Sequence, residues 1–140
     1  MPKSSPILAL VVSSLLSLVS GACVPHRDVP ASEVPKLTSL SDLMDSQATI
    51  ADPQFKKIGD EAKYTDADYA AFAEVSRRIL ATSTKSKDFT KGPAFDGFAD
   101  KLHGTAEALG KAAEAKDGKA SSAALAAMKQ VCKDCHSSQR

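Results

Sequence analysis

The chain is 140 residues long, with 18 basic and 17 acidic residues, a formal net charge of +1, two Tyr, five Phe and no Trp. That length holds about one small domain, and the balanced charge leaves no global field that would draw nucleic acid or an anionic surface. β-Branched residues are scattered without an alternating run, so no strands are predicted.

The elements follow in chain order. Met1-Pro2-Lys3 is a short positive start, followed by an apolar run from Ile7 to Val19 and the small residues Ser20-Gly21-Ala22. This reads as a secretory signal over residues 1–22, too short for a membrane span, and it is left out of the fold. Cys23 comes next. Val19-Ser20-Gly21-Ala22-Cys23 resembles a bacterial lipobox, with Ser20 where Leu is usual. On that reading Cys23 is lipidated and anchors the chain in a membrane, since more than one acyl chain is then buried. Simple cleavage after Ala22 is the other reading. Residues 23–36 carry Pro25, Pro30 and Pro35 with little apolar content, which predicts an extended, semi-rigid linker.

Residues 37–140 form the predicted domain. Leu40, Leu43, Met44, Ala48 and Ala51 fall on one face of a first helix, with Ser39-x-x-Asp42 as its capping pair. Pro53 either kinks this helix or opens a fresh turn, and Phe55 and Ile58 continue the apolar face to Gly59. A second helix is predicted from Thr65 to about Thr82, burying Tyr69, Phe72, Val75, Ile79 and Leu80, with a polar loop from Ser83 to Gly92. The third opens at Pro93 and carries Phe95, Phe98, Leu102, Ala106, Leu109 and Ala113 before Asp117-Gly118 ends it. The fourth runs from about Lys119, with Ala124, Leu125, Met128 and Cys132 in line. Four such helices with short connections predict an all-α, up-down-up-down four-helix bundle. An Ala-rich domain of this size buries little apolar area, so the core looks thin unless a cofactor sits between the helices.

The chemistry lies in Cys132-Lys133-Asp134-Cys135-His136. C-x-x-C-H is the attachment sequence of c-type haem: two sulfurs form thioethers and the adjacent imidazole becomes the proximal iron ligand. On a helix, positions i, i+3 and i+4 share a face, so all three side chains address one flat cofactor. A structural zinc site needs further ligands at sensible spacing, and only Cys23, His26 and His103 remain. A thioredoxin-like pair sits near a βαβ pattern, typically at a helix N-terminus, whereas these cysteines fall near a helix C-terminus.

Only four residues follow His136 in the sequence, so a protein ligand on the far side of the iron has to come from an earlier helix. Met44 is the candidate, on the stripe of the first helix; a Met in such a stripe also serves as core filling. Met128, two turns before His136 on the same face, is expected to pack against the porphyrin. Arg140, one turn beyond His136, shares its face and pairs with a haem propionate, shields the proximal pocket or extends into solvent. His103 reads as a surface residue, with iron ligation or distal acid/base as the other roles open to it.

Leu37 to Arg140 resembles the cytochrome c-prime, or class II cytochrome c, family, whose C-terminal C-K-x-C-H-x-x-x-R is matched by Cys132, Lys133, Cys135, His136 and Arg140. The resemblance implies one covalent haem c, thioethers at Cys132 and Cys135, His136 as proximal ligand and a periplasmic location. It also implies one of two functions: low-spin members take a Met from the first helix and carry electrons, while high-spin members bind nitric oxide or carbon monoxide. The expectation is a non-enzymatic one-electron carrier with His136 and Met44 on the iron, gas binding being the alternative. A peroxidase needs a distal acid/base, for which only His103 is available. The partners expected are periplasmic redox proteins, met through a patch of Lys85, Lys87, Lys91 and Lys133, and a membrane through lipidated Cys23. The resemblance leaves room for a homodimer through the first two helices.

Overall fold

The computed structural model describes residues 28–139. The signal at 1–22, Cys23 and Arg140 lie outside the described residues. Four helices make up the domain: α1 (Leu40–Phe55), α2 (Asp66–Ser86), α3 (Pro93–Glu114) and α4 (Gly118–Ser138), with 3₁₀ turns at Val34–Lys36, Glu61–Lys63 and Lys87–Phe89. No strand occurs among the described residues.

Local chemistry explains the boundaries. Ser39 caps α1 by accepting from the Asp42 amide at 3.3 Å, as its spacing predicts. Pro53 is held inside the last turn of α1, and the chain leaves the helix at Lys56 and turns at Gly59, whose φ of +92° suits glycine. Thr65 and Asp68 form a reciprocal capping box at the start of α2. This helix runs a full turn beyond the expected Thr82. Two of its added residues, Ser83 and Ser86, are polar yet buried, because Ser83 donates to Leu80 O at 3.1 Å and Ser86 to Ser83 O at 2.7 Å, so each hydroxyl is satisfied on its own helix. Pro93 opens α3 at the position where a missing N–H costs nothing. Asp117 caps α4 through the Ala120 amide at 2.9 Å.

Cross-links set the antiparallel register. Gln47 of α1 reaches Thr82 near the end of α2, while Lys57, just past α1, pairs with Asp68 at its start. Ser76 of α2 donates to Ala106 O of α3 at 2.7 Å, and Lys87 pairs with Asp100 one end further on. The α2–α3 crossing is close: a Cβ on Gly110 would lie 2.6 Å from Ser76 Oγ. Gly59 N donates to Ser122 Oγ of α4 at 3.0 Å.

The core is concentrated at the end of the bundle where α2 and α4 begin and α1 and α3 finish. Phe72, Val75, Leu109, Leu125 and Met128 are fully buried there, and Tyr64, Tyr69 and Phe72 meet edge to face with centroids 5.0–6.1 Å apart. Val34, assigned to the linker by composition, is fully buried and its 3₁₀ turn packs on α2, so the packed chain begins ahead of Leu37. Arg78 of α2 also pairs with Asp28 and, at 2.8 Å, with Glu74.

The buried face of α1 differs from the predicted one. Leu43, Ser46, Gln47 and Ala51 are buried, whereas Ala48 is exposed and Met44 half-buried. At 3.6 residues per turn, Met44 and Ala48 sit on the flank of a stripe centred on Leu43, Gln47 and Ala51. Helix α1 packs mainly on α2 and only lightly on α4, while α2–α3 and α3–α4 pack extensively. The bundle is therefore open between α1 and α4 at the end that carries the cysteines.

Candidate haem site

The opening is a small cleft, partly open to solvent. Met44 and Gln47 of α1 face it, with Ser86 from the end of α2, Phe95, Phe98, Ala99 and Leu102 from the start of α3, and Val131, Cys132, Cys135 and His136 from the last turns of α4. Helical spacing puts the three C-x-x-C-H side chains on the same side of α4, as expected from i, i+3 and i+4. Cys132 and Cys135 are half-buried and His136 is exposed at the rim.

Burial, helped by the Asp52 carboxylate and by Cys135, pushes the Cys132 thiol up to about 11. Burial raises Cys135 as well. Neither thiol is poised as a thiolate at neutral pH, which is the opposite of what a redox disulfide pair requires. Among the described residues no set of three or more His, Cys, Asp or Glu side chains converges as a metal cage.

The residues present fit a haem on two counts. Two thiols and an imidazole sit on one helical face, and that face borders an apolar slot walled by Phe95, Phe98, Leu102 and Val131 rather than a solvated surface. The slot also lies where α1 and α4 barely touch, so a flat apolar group would fill a gap that side chains leave open.

Met44 lies in this cleft with His136. Met128 does not line it; it is wholly buried in the core with Leu125 and Ile79, and Val131, one turn on, lines the cleft. His103 is also outside the cleft. It sits on another surface depression with Ser83, Lys87 and Asp100, its Nδ1 3.2 Å from Ser83 Oγ and its Nε2 3.9 Å from Glu107. Gln47 and Ser86 escape the apolar pattern because both are polar, and they are buried because the Gln47 amide donates to the Thr82 hydroxyl and the Ser86 hydroxyl to Ser83 O.

A four-helix bundle with C-x-x-C-H at the end of its last helix, bordering an apolar cleft, defines a c-type haem protein. The profile of the family described as Cytochrome C' matches residues 36–140, and the chain belongs to that family. Its members bind covalent, iron-containing haem c and are typically periplasmic. No curated protein and no solved structure matches the chain.

Proposed function

We propose that the protein is a periplasmic one-electron carrier. Cys132 and Cys135 hold one haem c as thioethers, His136 is the proximal ligand and Met44 the distal one. When bound, the haem supplies an iron that alternates between two oxidation states by one electron. The observation that carries this reading is that Met44 and His136, from helices at opposite ends of the sequence, line the same cleft. A Met thioether is a soft axial ligand that raises the potential, and the apolar walls at Phe95, Phe98 and Leu102 shield the site from water.

The same walls favour a second reading, gas binding at an open position, because they are apolar and Met44 is only half-buried. The visible spectrum of the oxidised protein separates the two. A low-spin spectrum with a Met–iron charge-transfer band, converted to high-spin by Met44→Ala, supports the carrier. A high-spin spectrum that Met44→Ala leaves unchanged, with carbon monoxide binding on reduction, supports the gas binder and removes Met44 from the iron.

For docking, Lys91 and Lys133 are the better members of the lysine patch. Lys85 is paired with Asp88 at 2.8 Å and Lys87 with Asp100, whereas Lys91 and Lys133 have no ion pair among the described residues. The reading includes an acidic redox partner there and a membrane anchor at lipidated Cys23, which the mass of the mature chain tests directly. Arg140 belongs to it as a partner for a propionate.

A further inference from the structure

Gln47 is more than nine-tenths buried, lines the cleft beside Met44 and has its amide orientation dictated by Thr82. Thr82 Oγ1 lies 2.9 Å from Arg78 O and 3.3 Å from Ile79 O, so its single hydrogen is given to a backbone carbonyl of α2. It is left only to accept, and it does so from Gln47 Nε2 at 3.0 Å. The nitrogen end of the amide is thereby tied to α2, and the oxygen end, Oε1, receives no hydrogen bond from any described residue. Ser86, the cleft's contribution from α2, spends its hydroxyl hydrogen on Ser83 O at 2.7 Å. The α1–α2 side of the cleft therefore presents hydrogen-bond acceptors among the apolar walls.

We infer that Gln47 selects which external ligands this cleft admits on the iron: its free amide oxygen favours small nitrogen bases that carry an N–H donor over ligands that carry none. The inference rests on the haem reading above and concerns the iron with Met44 displaced from it. Coordination to a ferric centre withdraws electron density from a base such as imidazole or ammonia and makes its N–H a better donor. An oriented acceptor on a largely buried side chain is worth more to such a donor than water is, because the amide is already held in place by Thr82 and loses little freedom on binding. Carbon monoxide brings no hydrogen and gains nothing from Oε1.

The test uses the haem-loaded Met44→Ala protein, in which no side-chain sulfur competes, and follows the visible spectrum of the ferric form titrated with imidazole and with 1-methylimidazole. The ratio of the two affinities is expected to drop on the order of fivefold, the worth of one hydrogen bond, when Gln47→Leu is added. Leucine and glutamine have similar bulk, so the larger size of 1-methylimidazole cancels in the comparison. Thr82→Val, which frees the amide without touching the cleft, is expected to lower the ratio in the same direction and decides the matter if Gln47→Leu fails to fold. A ratio unmoved in the folded variants overturns the assignment and leaves the electron carrier standing. So does weaker carbon monoxide binding by the reduced Gln47→Leu protein, which would mean that Gln47 acts as a donor. A protein that emerges without haem overturns both readings.

Discussion

At one end of the bundle Tyr64, Tyr69 and Phe72 interlock edge to face over Leu109 and Leu125, and Gly118 lets the start of α4 close on Tyr69. At the other, Met44, Phe98 and Leu102 border a space that the chain does not fill. The two ends use the same four helices. The difference lies in how the large side chains pack: the closed end clusters the fully buried Phe72, Leu109 and Leu125, whereas Phe98 and Met44 at the open end are half-buried around the cleft. A domain this small concentrates its packing where it needs none of the cofactor's surface, and leaves the rest to be completed by a flat apolar group.

The largest effect should come from the closed end. Phe72→Ala is expected to cost about 3–5 kcal/mol in urea unfolding, whether or not haem is attached. Phe98→Ala should cost under about 1 kcal/mol in a haem-free Cys132→Ala/Cys135→Ala protein, in line with truncation of a side chain that is not fully packed, and distinctly more in the haem-bearing one. In the haem-free protein, hydrogen exchange is expected to speed up in Leu40–Gln47 and Val131–Ser138 while Phe72–Ile79 stays protected. Equal loss of protection at both ends would erase the distinction between them.

Gly110→Ala sharpens the comparison at the middle of the bundle. The new Cβ would lie 2.6 Å from Ser76 Oγ and 3.3 Å from Ser76 Cβ, so overpacking of about 1–3 kcal/mol is expected. Adding Ser76→Ala should recover part of it, by denaturant midpoint, since it removes the closer of the two contacts.

The smallest effect is in acid and sits at the closed end. Lys57, followed by the amide and hydroxyl of Thr65, holds the Asp68 carboxyl down at about 2. The folded value is below the unfolded one, so the stabilisation is complete above about pH 4 and fades as the pH falls toward 2. Asp68→Asn is expected to flatten that part of the pH–stability curve. A curve of unchanged slope between pH 4 and 2 would show that the cap and ion pair contribute nothing there.

Much of the helical plan is legible along the chain. Ser39, Thr65 and Pro93 mark helix starts by chemistry that acts within three residues, and all three mark observed boundaries, whereas Asp117, read as the stop of the third helix, is the cap of the fourth. The end of α2 was not legible, because Ser83 and Ser86 look like loop residues until their hydroxyls are seen returning to the helix's own carbonyls. Ala48 failed for a related reason: alanine fits a buried or an exposed face equally well, and only the light packing of α1 on α4 leaves it outside. Val34 escaped notice among prolines, a single apolar residue with no periodic neighbours to reveal its burial.

The sequence by itself determined the helices, their order and the grouping of Cys132, Cys135 and His136 on one face, because caps and the i, i+3, i+4 relation are local properties of a helical backbone. Tertiary structure alone decided that Met44 borders the cleft while Met128 fills the core, and that Gln47 turns its nitrogen to Thr82. Those outcomes depend on the rotation of each helix about its axis and on neighbours tens of residues away, which no local pattern specifies.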